Sequence, residues 1–139
     1  MGADVTFATA KDLAANGFGT MNVDIFVPEL EPEPDHAISV AMVGGGEQQR
    51  ISESVLVSIM VRDPDFETCL QTSRDIWKYL DLEEGDNSGD VQGVPVASYT
   101  ATGPAIPAGR DGGSNGGRWL SVQTFAVLMK SGYDYIATD

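Results

Sequence analysis

The sequence predicts an α+β domain: an antiparallel or mixed β-sheet with a long helix packed on one face, a short N-terminal helix and a long β-hairpin. Three observations predict it. "SVLVSIMVR" (residues 54–62) alternates with strand period, and "DPDFETCLQTSRDIWKYLDL" (63–82) repeats apolar residues at three- and four-residue steps. The glycine-rich "AGRDGGSNGGRW" (108–119) then separates two further strand-like runs. At 139 residues the chain suits one domain spanning 1–139, with a core at about 20–129 and a C-terminal tail at 130–139.

The elements follow in order. In "VTFATAKDLAA" (5–15), Phe7, Ala10, Lys11 and Ala14 stand at helical spacing, and Asn16-Gly17 is a natural stop. "MNVDIFVPEL" (21–30) places Met21, Val23, Ile25 and Val27 at strand spacing until Pro28 ends the run. "ELEPEPDH" (29–36) reads as an acidic linker that its prolines keep extended and unpacked. "AISVAMVGGG" (37–46) is a strand closed by three glycines. In 54–62 the face made by Val55, Val57, Ile59 and Val61 is the core face; Leu56, Ser58, Met60 and Arg62 share the other.

For the long helix, Asp63 is the expected cap and Pro64 the first helical residue. Phe66, Cys69, Leu70, Ser73, Ile76, Trp77 and Leu80 form one expected buried stripe. A polar loop "EEGDNSGD" follows, then a strand over 91–107 bent at Gly103-Pro104. "RWLSVQTFAVLMK" (118–130) is apolar on both faces, as a central strand would be.

Charge narrows the function classes. Eight Lys and Arg against twenty-one Asp and Glu give a formal net charge of −13. Such a surface repels phosphate backbones, because nucleic-acid affinity rests mainly on Lys and Arg. No run approaches the roughly 18 apolar residues of a membrane span, and no basic-then-apolar start suggests a secretory leader.

Catalytic and cofactor chemistry finds little support. A phosphate cradle needs Lys-Ser or Lys-Thr at a helix start, whereas Arg118-Trp119 here leads into a strand. Cys69 lies on the apolar helix stripe, where a thiol is ordinarily inert. His36, the single histidine, has no evident oriented partner, and one His with one Cys cannot build a structural zinc site. "DLEEGDNSGD" (81–90) lacks the register of a calcium loop. The expectation is therefore no enzyme, no cofactor and no metal.

An interaction surface remains. The 108–117 loop is longer than a tight turn requires, and Arg110, Asp111, Asn115 and Arg118 with Trp119 at its base are the expected contact residues.

"NVDIFVPELEPEPDHAISVAMVGGGE" followed by "SVLVSIMVRDPDFETCLQTSRDIWKYL" resembles the tail-terminator (minor capsid, head–tail joining) proteins of long-tailed bacteriophages. The resembling elements are Pro34-Asp35 before a strand, Gly44-Gly45 after it, "VRDPDFETC" between strand and helix, and "GPAIPAGRDGGSNGGRWLSVQTFAVLM". Together they cover roughly residues 20–129. The resemblance implies a hexameric ring in the virion neck, made in the host cytoplasm, that caps the tail tube and joins it to the head connector. Its implied partners are other copies of itself, the major tail-tube protein and a connector or stopper, with DNA passing through unbound. No catalytic residue is implied. A sibling neck role, as stopper or tube subunit, a small ligand-binding or regulatory domain, and an enzyme whose site forms only between subunits are the alternatives. In such a ring some of Glu29, Glu31, Glu33, Asp35, Glu83, Glu84 and Asp86 are expected to face the lumen, where carboxylates would let DNA slide.

Overall fold

A computed structural model describes residues 5–45, 54–83, 90–91, 94–111 and 117–129. It is α+β. Helix α1 (Val5–Ala15) and the short β1 (Ile25–Phe26) precede the hairpin of β2 (Ala37–Gly45) and β3 (Ser54–Asp63). Helix α2 (Phe66–Glu83) follows, then β4 (Asp90–Val91), β5 (Val94–Ala101), β6 (Ile106–Asp111) and β7 (Arg118–Met129). All seven strands form one sheet in the order β1-β2-β3-β7-β5-β4, with β6 also on β7. The sheet is mixed because β1 runs parallel to β2, while the other pairs are antiparallel.

Period-two patterning sets β3 and β7. Val55, Val57, Ile59 and Val61 are all buried, as their alternation predicts. β7 pairs with β3 along one edge, from Trp119 to Leu128. Its other edge is shared: β6 takes Arg118–Val122 and β5 takes Phe125–Met129. β5 and β6 are thus one long strand broken at a bend. There Thr102 donates its N–H to Thr124 O at 2.9 Å, and Gln123 Nε2 donates to Gly103 O at 2.7 Å. β6 re-enters the ladder through a bulge between Pro107 and Gly109, and Gly109 takes φ +100°, a conformation that only glycine adopts without strain.

α1 stops where the sequence predicts, with Gly17 at φ +91° and Phe18 N–H returning to Leu13 O. Val5, Thr6, Ala8, Thr9, Ala10 and Leu13 are buried, so Ala10 of the expected set is covered, whereas Phe7 is 42% exposed and Lys11 lies in solvent. α1 touches β1 and β2 at one edge of the sheet and β4 at the other, so the sheet curls around it. Thr9 Oγ1 meets Tyr99 OH of β5 at 3.0 Å inside this curl.

Three sequence expectations need correction. Residues 20–24 form a turn, not a strand: Thr20 O accepts from the N–H groups of Val23, Asp24 and Ile25, and Asn22 has φ +66°. One carbonyl collecting three donors holds the chain coiled, so Val23 is left 58% exposed.

The helix cap is Asp65 rather than Asp63. Asp65 Oδ2 accepts Thr68 N–H and Thr68 Oγ1–H, at 2.9 and 2.8 Å. Asp63 instead accepts Asp65 N–H and pairs with His36. The bonds from Thr68 hold the Asp65 carboxyl below its ordinary value of 3.8. A depressed folded-state pKa stabilises above the unfolded value and loses that contribution as pH falls through the folded one. The melting-temperature deficit of Asp65→Ala is therefore expected to be full near neutrality and to vanish in acid below the ordinary aspartate range. A deficit independent of pH would remove the capping assignment.

The stripe on α2 is narrower than expected. Cys69, Ser73, Ile76 and Leu80 are buried, but Leu70 is half-buried, and Phe66 and Trp77 are 39% and 40% exposed. At 100° per residue the seven positions span an arc wider than the sheet beneath them, so Phe66, Leu70 and Trp77 overhang its edge. Leu70→Asp is accordingly expected to leave the domain folded. Leu80→Asp, at a fully buried position, is expected to prevent folding, and far-ultraviolet circular dichroism of the pair checks the contrast.

Candidate functional site

Two features stand out on opposite sides of the sheet: a linker clamped onto one face, and a groove beside α2 on the helix-bearing side.

The clamp rests on two arginines that alternation puts on the sheet face away from α2. Arg62, 2% exposed, donates from Nη2 to Pro34 O and from Nε to Asp35 O. Arg118, 9% exposed, donates from Nη1 to Pro32 O at 2.7 Å and meets Asp35 Oδ1 at 3.2 Å. His36 Nδ1 lies 2.5 Å from Asp63 Oδ2. The linker is thus fastened to the sheet by its backbone carbonyls, contrary to the expectation of an unpacked tether. Guanidinium forks suit carbonyls whose N–H partners prolines have removed.

This relocates several expected contact residues. Arg118 is an internal clamp rather than part of a projecting tip, because its register opposite Asp111 turns it under the linker. His36 has an oriented partner after all, in Asp63. Trp119 is half-buried, edge-on to Phe66 with ring centroids 4.9 Å apart. Arg110 is exposed and stacks over that indole, 4.6 Å from its centroid. The Asp111 side chain and Asn115 lie outside the described residues.

Of the seven expected acidic residues, Glu29, Glu31 and Glu33 are exposed along the linker. Asp35 is exposed too, but engaged by Arg118. Glu83 ends α2 with its side chain outside the description, and Glu84 and Asp86 lie outside it altogether.

The groove was not legible in the sequence. It measures about 580 Å³ between the overhang of α2 and the broken strand, with Leu70, Arg74 and Trp77 on one wall. Pro104 and Pro107 form the other wall, and Gln123 lines it as well. A more open depression of about 520 Å³ continues toward the helix start and shares Leu70 and Arg74. Gln123 is 5% exposed; its Nε2 serves Gly103, and its Oε1 has no donor among the described residues.

Little here supports covalent chemistry. Cys69 is buried and donates to Val61 O, and burial pushes its thiol pKa up, away from the reactive thiolate. Among the described residues no three His, Cys, Asp or Glu side chains converge to hold a metal ion, and no helix is long and apolar enough to cross a membrane. Among the described residues the surface offers shape, a few exposed cations and an edge of β6 that no strand covers. No protein-family model matches the chain, and no curated protein is matched by its sequence.

Proposed function

We propose that this chain is a structural subunit that works by self-association, a phage tail-terminator-like protein. In this reading copies close into a ring, six in number, that caps a tail tube and joins it to a head connector. The supporting observation is the free edge of β6. Ile106–Arg110 are all exposed, and among the described residues β6 pairs with β7 alone. Pro107 and the bulge beside it blunt part of this edge, and the backbone groups that remain are a template for a neighbouring chain. Head-to-tail contacts between different patches close into rings when the rotation allows. Some of the seven carboxylates would then line a bore offering few cations to DNA, and Arg110 on β6, with the connection from β6 to β7, would touch the next subunit or ring.

Native mass spectrometry and negative-stain imaging of the purified chain test the proposal. Six-copy rings with a central opening are the expected result, with no retention of duplex DNA at physiological salt. Removal of residues 112–116 is expected to weaken ring stacking while leaving the monomer folded. A chain that stays single at every concentration would refute the assembly reading. The roughly 580 Å³ groove favours a second reading, a small ligand-binding domain. A monomer that retains a small molecule through purification would support it.

A further inference from the structure

We propose that the sheet face turned away from both helices is a contact surface on which a second copy of this chain docks, face to face, about a twofold axis. The inference rests on the self-association reading and is separate from the β6 edge. A face that meets itself joins two chains, or two rings set back to back.

Register identifies the face. Antiparallel partners point to the same side, so Leu56 stands with Ala126, Arg62 with Leu120, and both Met60 and Ile106 with Val122. Helices α1 and α2 lie on the opposite side, where Ser73 of α2 meets Ser121 and Thr9 of α1 meets Tyr99. Leu56, Met60, Leu120 and Val122 are half-buried, while Leu128 and Ile106 are 42% and 56% exposed. Between them stand the hydroxyls of Ser58, Thr100 and Thr124. Arg62 and Arg118 share this face but are buried under the linker at one end. Beyond them no charged side chain stands on it among the described residues.

That absence selects the partner. The outward side of α2 shows what this chain places in water: Glu67, Arg74, Asp75, Lys78 and Asp81, all exposed. A basic partner is drawn to carboxylates of that kind and finds none on the bare sheet face. Two copies at a net −13 each approach closely only where neither presents a carboxylate. Aliphatic and hydroxyl side chains complement their own kind, so one patch serves both sides of a twofold contact. The area also suffices. From Leu120 to Leu128 the face runs about 27 Å, and the rows from β2 across to β5 and β6 span about 19 Å, a footprint of roughly 500 Å². Two copies then bury about 1,000 Å² together, the size that separates a specific contact from an incidental one.

The linker sets the orientation. Glu33 and Asp35 are exposed beside the clamped carbonyls, and two linkers laid against each other would repel. The twofold axis therefore lies across the strands, which places each linker beyond the Leu128 end of the other copy.

Charge exchange at the patch centre tests the contact. Thr124 lies midway between Leu120 and Leu128, where an axis giving full overlap sets it near its own counterpart. Thr124→Glu and Thr124→Lys are each expected to weaken pairing in sedimentation equilibrium by about tenfold or more, since each brings like charges together. Their melting temperatures in dilute solution should change little, because the side chain is on an open face. An equimolar mixture is expected to recover wild-type association, which a contact between two different patches would not give. Peroxide labelling of the wild type is a second measurement. Met60 is in the patch, whereas Met42 pairs with Val57 and belongs to the helix-bearing side. As the protein is concentrated, oxidation of Met60 is expected to slow several-fold relative to Met42, read by peptide mass spectrometry.

Unweakened pairing of either variant would overturn the face-to-face contact. So would a mixture no tighter than its components, or a Met60 to Met42 ratio independent of concentration. Rings that persist in those cases leave self-association standing on other surfaces. A wild type that stays single at every concentration removes both.

Discussion

Phe125→Ala is expected to cost about 3–5 kcal/mol, the range for truncating a fully buried aromatic. Phe125 is 1% exposed at the middle of β7, opposite Val57 of β3 and Ala101 of β5, on a strand that packs against α2. Its neighbours belong to a sheet hydrogen-bonded on both sides and cannot collapse into the void. Urea unfolding should show a lower midpoint with an unchanged slope, the sign of lost stability without a change in surface exposed. A loss under about 1 kcal/mol would mean that the ring is not surrounded as described.

Arg62→Ala is expected to be nearly as costly, about 2–4 kcal/mol, from hydrogen bonds to a charged donor and from carbonyls left unmatched. The guanidinium is buried where β3 meets the linker, and the Pro34 and Asp35 carbonyls depend on it. Arg62→Lys should recover little, since an ammonium lacks the planar fork that reaches two acceptors. Proteolysis supplies a second readout: the linker of Arg62→Ala should be cut far faster than that of the wild type. If Arg62→Ala matches the wild type in both measurements, desolvation of the guanidinium already cancels what its bonds return.

Regular periodicity explains what was readable in advance. β3 announced itself because alternation is a local property and each residue's face follows from its parity, whereas β7 was read from a run apolar on both faces. α2 was legible in extent but not in which of its apolar residues are covered. That depends on where the sheet beneath it is broken, at the bend between β5 and β6. The groove arises from this mismatch, so no single segment encodes it.

The cap moved by two residues because Asp63 and Asp65 carry the same chemistry, and only the partner of Asp63, His36 from a distant segment, separates their roles. Arg118 was misplaced for a related reason. Its position beside a glycine-rich loop suggests solvent, while its register opposite Asp111 places it beneath residues more than eighty positions upstream. The linker was read from composition as free, and composition cannot show that its carbonyls are claimed.

β7 has a mechanical consequence. Because it is bonded to β3 on one flank and to β5 and β6 on the other, a pull along its axis loads both ladders in shear at the same time. Tension entering at the Arg118 end would be shared across the sheet instead of peeling one strand away. Strands gripped on both sides open last, so β7 amides should be among the slowest in the chain to exchange with deuterium.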